Sequence, residues 1–334
     1  MPITSTFCSL SRRRAAFALT ILVSFGLGIS DSALADGERI AVFTKNATNP
    51  SYAAFRAGAD AAAAVLHAAT VQYVPASPDD PVEQAALVNR MLTTAPDAVL
   101  FDAADVRKME DSVRKVNAAG IPIVQFINRM KHGTFVTFVG ADDERAGYMT
   151  ARYLFRAMHG KGRVVVIEGT PGSTTAPARL RGFRMALAEY PNLTLLASAP
   201  GDYQESSAYA ATVKLLARYP HIDGVFSAND SMALGVVRAF AAAKRTALIV
   251  GINASVDAAR AIAAGRMLAS EDYNTFKIGC LATYAAVRHL RGQPVPARVM
   301  IPLRMVDATN YSAWLTPPAS RSCPTWAQLT AAGE

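Results

Sequence analysis

The stretch from Ile40 to Tyr52 constrains the fold more than any other. Ile40-Ala41-Val42-Phe43-Thr44 is an unbroken apolar or β-branched run, the pattern of a parallel strand buried on both faces. A polar turn follows, then Asn49-Pro50, an N-cap residue before the proline favoured at the first helical position. An alanine-rich segment carries that helix to about His67. Ligands of open α/β sheets collect outside the carboxyl ends of the strands, so Lys45, Asn49 and Tyr52 stand where a ligand is expected. Asn49 as a plain helix cap and Tyr52 as a packing ring are the bland alternatives.

The unit repeats along the chain. Ala69 to Val74 reads as a strand and Pro81 to Leu92 as its helix; Asp97 to Phe101 and Val106 to Ala119 make the next pair. Gly120-Ile121-Pro122 introduces the strand Ile123 to Ile127, which ends at Asn128-Arg129, and a short strand from Phe135 to Val139 leads into a helix reaching Met158. The pattern then restarts with a strand from Arg163 to Glu168, a loop from Gly169 to Ser173 and a helix from Arg179 to Glu189. Thr194 to Ala199, Val225-Phe226 and Leu248 to Val250 supply further strands, each followed by a helix. Met267 to Ser270, a helix from Lys277 to Leu290 and a last strand from Val299 to Val306 close the series. A tail rich in Pro, Ser and Trp follows, to which the sequence assigns no role. Strands alternating with helices imply right-handed βαβ crossovers on parallel sheets, and two runs of them imply two α/β lobes.

Residues 1–35 belong to neither run. Arg12-Arg13-Arg14 precede an apolar run from Ala15 to about Ile29, and Ala33-Leu34-Ala35 fits a small-x-small cleavage site, which together read as a secretory signal peptide cut near Ala35. Gly26 and Gly28 interrupt the run, which is short for a membrane span of about 20 residues. Ser11-Arg12-Arg13 is only a fragment of a twin-arginine pattern, and Cys8 does not precede the cleavage site, so no lipid anchor is expected. Cleavage removes three arginines and Asp31, taking the formal charge from +8 to +6. That excess is scattered: Arg179 with Arg181, or Lys244 with Arg245, read as solvated faces and not as a nucleic-acid stripe. At 334 residues, 51% hydrophobic and 18% charged, the chain suits about two domains with ample core. Cys280, in an apolar helical stretch, reads as a buried thiol; a bridge to Cys323 in the tail is the alternative.

Signals for chemistry are missing. The histidines (His67, His132, His159, His221, His289) are dispersed, with no pair at metal-ligand spacing. Gly172-Ser173-Thr174 follows a strand but lacks the trailing glycine of a nucleophile elbow. Gly169 to Gly172 lacks the Lys-Ser/Thr ending of a phosphate loop. Asp142-Asp143-Glu144 reads as an acidic helix N-terminus complementing the dipole. Neither catalysis nor a metal or cofactor is expected.

Taken together, several segments resemble the type I periplasmic substrate-binding proteins of the ribose-binding kind. They are Ile40 to Pro50, Gly120-Ile121-Pro122 with Asn128-Arg129, Val165 to Gly172, Arg181-Gly182-Phe183, Ala228 to Gly235, Val250 to Asn253 and Ala264-Gly265-Arg266. The resemblance covers roughly Arg39 to Val306. The lactose-repressor class shares this fold but needs a DNA-binding headpiece where the signal peptide stands. The resemblance implies two Rossmann-like lobes with parallel sheets, joined by three hinge crossings, with a ligand cleft between them. The crossings are expected near Ala141-Asp142, Asp272-Tyr273-Asn274 and Pro302-Leu303. One lobe is then 36–141 with 274–302, the other 142–273 with 303–316, and 317–334 is the tail.

The same resemblance implies the ligand-facing set: Lys45, Asn49, Tyr52, Asn128, Arg129, Tyr203, Asn229, Asn253 and Tyr273, the last flanked by Asp272 and Asn274. The residue types suit a ring of hydroxyls. Asparagine donates and accepts, arginine offers a planar fork of donors, and tyrosine offers an apolar face with a polar tip. Tyr203 as simple loop packing and Arg129 paired with a surface carboxylate remain the alternatives. The implied function is the periplasmic solute-binding component of an ABC importer, a monomer that closes on a sugar or sugar-like molecule and docks on a membrane permease. A receptor presenting its ligand to a sensor kinase is the alternative.

The departures bear on the ligand's charge. Ribose binders place acidic residues where Asn128 and Asn253 stand, a small hydroxyl at Lys45, and a second arginine where Pro177 falls, within a one-residue loop shift. Counted so, the pocket loses two carboxylates and a guanidinium and gains an ammonium. A sugar acid held by Lys45 and Arg129 is one expectation. The other is that Asp102 or Asp272 neutralises Lys45 and the ligand is a neutral sugar or polyol.

Overall fold

The computed structural model describes residues 37–331, so the signal peptide and its cleavage site near Ala35 lie outside the described residues. The first sheet is built as the apolar runs require. Strands β1 (Arg39–Phe43), β2 (Ala69–Tyr73), β3 (Ala98–Phe101), β4 (Ile123–Phe126) and β5 (Thr137–Gly140) are joined by helices α1 (Pro50–Leu66), α2 (Pro81–Leu92) and α3 (Glu110–Ala118). All five pair in parallel, and Ile40 to Phe43 is buried, as a strand covered on both faces must be. Phe55 of α1 stacks on Phe126 of β4 at 3.7 Å, which fastens helix to sheet, and Phe43 stacks on Tyr73 of the neighbouring strand at 4.8 Å.

The second sheet comes from α4 (Asp143–Ala157), β6 (Lys161–Glu168), α5 (Thr175–Ala188), β7 (Asn192–Pro200), α6 (Glu205–Arg218), β8 (Gly224–Ser227), α7 (Asp230–Ala242), β9 (Leu248–Ile252), α8 (Val256–Ala263) and β10 (Ala269–Asp272). Helix α9 (Thr275–Leu290) then returns to the first lobe, where it packs on α1 and leads into β11 (Arg298–Met300). The chain crosses once more into β12 (Arg304–Asp307). The sheet orders are β11-β5-β4-β3-β1-β2 and β12-β10-β9-β8-β6-β7, so the backbone passes between the lobes three times: at 141–142, 273–274 and 301–303. The last strand and the second sheet differ from the sequence reading. The last strand is not continuous from Val299 to Val306, because the third crossing cuts it in two. The second sheet is also not wholly parallel: β12 runs antiparallel to β10, since it arrives directly from the other lobe without a crossover helix.

The tail has a structure of its own. A 3-10 turn at Tyr311–Trp314 rests on α8, a second at Pro318–Ser320 rests on α1, and α10 (Trp326–Ala331) rests on α9. The guanidinium of Arg304 lies 5.3 Å from the Trp314 ring and that of Arg288 5.0 Å from the Trp326 ring, which gives both tryptophans a cationic partner. Cys280 is not a free thiol. It forms a disulfide with Cys323, so the tail, having left the second lobe at β12, is bonded covalently to α9 of the first.

Candidate functional site

A pocket of about 320 Å³, part of it open to solvent, lies where the two sets of strand ends meet. Its first-lobe wall is made at the start of α1. The Asn49 Oδ1 accepts the Ser51 N–H at 3.0 Å, which caps the helix at a residue that lines the cavity. Tyr52 lies three residues further on, its ring on the wall and its hydroxyl donating to Asp102 Oδ2 at 2.8 Å. Ser51 and Thr275, the latter opening α9, add a pair of hydroxyls 3.2 Å apart. Ile127 completes this side with φ 55°. A β-branched residue held there costs roughly 1–3 kcal/mol, strain that collects at binding sites.

The second-lobe wall repeats the device. Asn229 caps α7 by accepting the Met232 N–H at 2.9 Å, and its Nδ2 turns to the Tyr203 carbonyl at 3.4 Å. Tyr203 has φ 58°, and its hydroxyl shares a 2.7 Å hydrogen bond with Thr175. Its ring presses against the end of β6, where a Cβ on Gly169 would sit 2.1 Å from it; glycine is required there. Asn253, at φ 126°, follows β9 onto the wall, and its side chain has no hydrogen-bond partner among the described residues. Tyr273 stands on the second crossing, almost wholly buried, and donates to Asp143 Oδ2 at 3.0 Å. Burial first, and Asp143 second, push the Tyr273 hydroxyl's pKa well up, so it stays a donor. Asn49, Tyr52, Tyr203, Asn229, Asn253 and Tyr273 thus converge on one space.

Arg179 is on the same wall and overturns one sequence reading. It does not share a solvated face with Arg181; it is 3% exposed. Helix α5 starts at Thr175, not at Arg179, which turns Ala176, Arg179, Gly182, Phe183 and Ala186 inward. Arg181, two residues on, points outward and pairs with Glu144 at 2.8 Å. The Arg179 Nε donates to Asp143 Oδ1 at 2.9 Å and Nη1 to the Ala228 carbonyl at 2.7 Å. Its guanidinium lies 4.8 Å from the Tyr273 ring and 6.0 Å from the Tyr203 ring. Burial works against the charged form, but Asp143 and the two tyrosines outweigh it and raise the pKa. The cavity wall therefore does have a guanidinium near the place where the sequence showed Pro177, two positions further on. The close approach depends on glycine: a Cβ on Gly147 of α4 would lie 2.1 Å from the Arg179 carbonyl, and one on Gly182 1.9 Å from that of Glu144.

Lys45, Asn128 and Arg129 are not on the cavity wall. Lys45 is 1% exposed and lies one layer back, its Nζ 3.7 Å from Asp79 Oδ1 and 5.8 Å from the Tyr203 ring centre. No hydrogen-bond partner for that ammonium is found among the described residues. Asp102 stands in its field: burial raises this carboxyl's pKa to about 6, against the opposing pull of Lys45, Asn128 and Tyr52. Asp79 is likewise raised by burial, with Lys45 pulling the other way. Asp272 is not a partner of Lys45: burial raises its pKa too, but its Oδ1 accepts the Asn274 N–H at 2.8 Å and Lys45 pairs with Asp79. Asn128 spans the cleft: its Nδ2 donates to Asp102 Oδ1 at 2.9 Å while its Oδ1 accepts the Thr174 N–H at 2.9 Å. Arg129 is exposed at the cleft mouth, its guanidinium 6.0 Å from the Phe138 ring. The excess of positive charge read from the sequence is absent, since Asp143 faces Arg179, and Asp79 and Asp102 face Lys45.

Other bonds cross the cleft. The Thr48 hydroxyl donates to Gln204 Oε1 at 3.1 Å, the Thr170 hydroxyl to Asp79 Oδ2 at 3.3 Å, and the Val106 N–H to the Gly172 carbonyl at 3.2 Å. The lobes are shut on each other. Besides Arg179, the sequence reading missed Ser51, Ile127, Thr175 and Thr275 on the wall and Asp143 behind it. Asp143 does more than complement a helix dipole; that end is capped by Asp142, which accepts the Arg145 N–H at 2.9 Å.

The periplasmic binding protein domain family matches residues 40–294. The ribose import binding protein of Haemophilus influenzae is 28% identical over 290 residues, 87% of this chain and 98% of that one. The D-apiose import binding protein of Actinobacillus succinogenes is 30% identical over 238 residues, 70% of this chain and 76% of that one. An ABC transporter periplasmic solute binding protein from Actinobacillus succinogenes, solved with bound D-allose, superposes with a TM-score of 0.78 at 27% identity, covering 83% of this chain and 99% of that one.

Proposed function

Because the chain belongs to the periplasmic binding protein domain family, type I and of the ribose-binding kind, we propose that it is the solute-binding component of an ABC importer for an uncharged sugar or polyol. The observation that carries this reading is the cavity wall: amides, hydroxyls and one guanidinium from both lobes, set among three tyrosine rings. A polyhydroxylated guest needs that mixture, because each buried hydroxyl left unpaired costs about 1–3 kcal/mol, and apolar sugar faces lie well on aromatic rings. The buried cations near the wall each have a carboxylate partner, which favours a neutral guest over a sugar acid.

The mechanism is lobe closure. Residues 36–141 with 274–302 move against 142–273 with 303–316 about the three crossings, and a ligand touching Asn49 and Tyr52 on one side and Arg179, Tyr203 and Asn229 on the other favours the shut form. The mature protein, cut near Ala35, acts in the periplasm as a monomer and delivers its ligand to a membrane permease; it performs no catalysis. A thermal-shift panel of pentoses, hexoses, polyols and sugar acids, followed by calorimetry, tests this. At least one uncharged member is expected to raise the melting temperature and release heat. If only sugar acids do so, or nothing does, the reading is wrong.

A further inference from the structure

Asp143 does not itself line the cavity, yet it holds two residues that do. One oxygen accepts from Arg179 Nε at 2.9 Å and the other from the Tyr273 hydroxyl at 3.0 Å. These partners come from different places: Arg179 from α5, Tyr273 from the second crossing and Asp143 from the first turn of α4, just past the first crossing. One carboxylate therefore ties two crossings to the wall. Arg179 Nη1 is engaged by the Ala228 carbonyl at 2.7 Å, and Nη2 has no hydrogen-bond partner among the described residues, so the guanidinium keeps a donor for the guest.

Other carboxyl groups lie near Arg179, but none takes Asp143's place. Asp230 is occupied by the Ser270 hydroxyl at 2.5 Å and the Ser255 N–H at 2.7 Å. Glu271 is wholly buried on β10 without a hydrogen-bond partner among the described residues, a setting that favours the neutral acid. Asp143 is the carboxylate in contact with the guanidinium, and the one that cancels its charge.

We propose that Asp143 is a positioning residue that sets the charge preference of the site: by fixing Arg179 and Tyr273 and neutralising the guanidinium, it makes the cavity accept an uncharged polyhydroxylated guest and disfavour the matching carboxylate. The proposal rests on the sugar-binding reading above. With Asp143 in place, a sugar acid entering beside Arg179 meets a cation already paired and a second anion behind it. With Asn at this position, the shape is kept and one negative charge is gone.

The test is calorimetry on the mature protein and its D143N variant with paired probes: D-galactose and D-galacturonate, D-glucose and D-glucuronate, D-ribose and D-ribonate. The original protein is expected to prefer the neutral member of the pair it binds. D143N is expected to narrow the neutral-over-acid ratio by about tenfold or more, a change that general loosening of the fold does not produce because it weakens both members alike. Should D143N not fold, R179M serves in the opposite sense: it leaves the Asp143 carboxylate bare and should widen the ratio. An unchanged ratio in whichever variant folds overturns the proposal, as does an original protein that prefers the acid. If no sugar of the panel binds the original protein, the sugar-binding reading itself falls and takes the proposal with it, whereas an unchanged ratio in a sugar-binding protein removes only the role of Asp143.

Discussion

Lys45 and Arg179 are both buried cations within about 6 Å of the Tyr203 ring, one from each lobe, and they are held in different ways. Arg179 sits in the interior of a helix with its fork fixed by a carboxylate and a carbonyl. Lys45 sits in a strand-end loop, its ammonium 3.7 Å from a carboxylate and without a hydrogen bond among the described residues. A planar fork locks direction, whereas an ammonium supplies a point charge on a flexible stem. The comparison suggests a division of labour. On the proposed function Arg179 presents a donor to the guest, while Lys45 compensates Asp79 and Asp102.

The largest expected difference lies in removing each cation. R179M should weaken sugar binding by about 100-fold, roughly 3 kcal/mol, and cost about 3–5 kcal/mol of stability by stranding Asp143. K45M should leave affinity within about threefold and cost nearer 2 kcal/mol, because the Lys45 ammonium, unlike the Arg179 fork, has no hydrogen bond among the described residues to lose. Calorimetry and denaturant melts read both; equal losses of affinity would erase the distinction.

A smaller effect should come from crowding the Arg179 side alone. In G147A the added methyl meets the Arg179 carbonyl, which forces α4 and α5 apart at a cost of about 1–3 kcal/mol and should weaken sugar binding about tenfold. A variant that melts and binds like the original would show that the Asp143–Arg179 contact tolerates such a shift.

The smallest effect is a pH dependence on the Lys45 side. The folded pKa of Asp102, about 6, lies above that of an unfolded aspartate, so the folded state holds the proton more tightly and stability falls as pH rises from about 4 through 6. Between pH 5 and pH 7 this group should cost about 1 kcal/mol. Asp230, also raised by burial to about 6, acts in the same sense. D102N should flatten part of that slope, and K45M should move it to higher pH. A melt series from pH 4.5 to 8 that is flat in the original protein would remove the electrostatic account of Lys45.

Much of the site could be read in the chain because it sits at strand ends, and strand ends announce themselves locally. Asn49 and Asn229 are helix caps before they are anything else, and a cap is visible in a few residues. Arg179 was hidden by a boundary. With the helix begun four residues late, its place on the stripe Ala176, Gly182, Phe183 and Ala186 goes unseen, although an arginine at helical spacing on an otherwise small and apolar face is a usable signal. Asn128 is in the ligand-facing set that the resemblance implies; in the structure it is spent on Asp102 and Thr174.

The sequence alone determined the order of strands and helices, that two βα series are present, and that Asn49 caps the first helix, because backbone hydrogen bonding and side-chain periodicity are decided among near neighbours. The tertiary structure alone decided the pairings. Asp143 meets Arg179 across 36 residues and Cys280 meets Cys323 across 43. The Asp143–Arg179 pairing depends on how closely α4 and α5 can cross, a property of Gly147 lying against Arg179 and Gly182 against Glu144 that no local window of the chain contains.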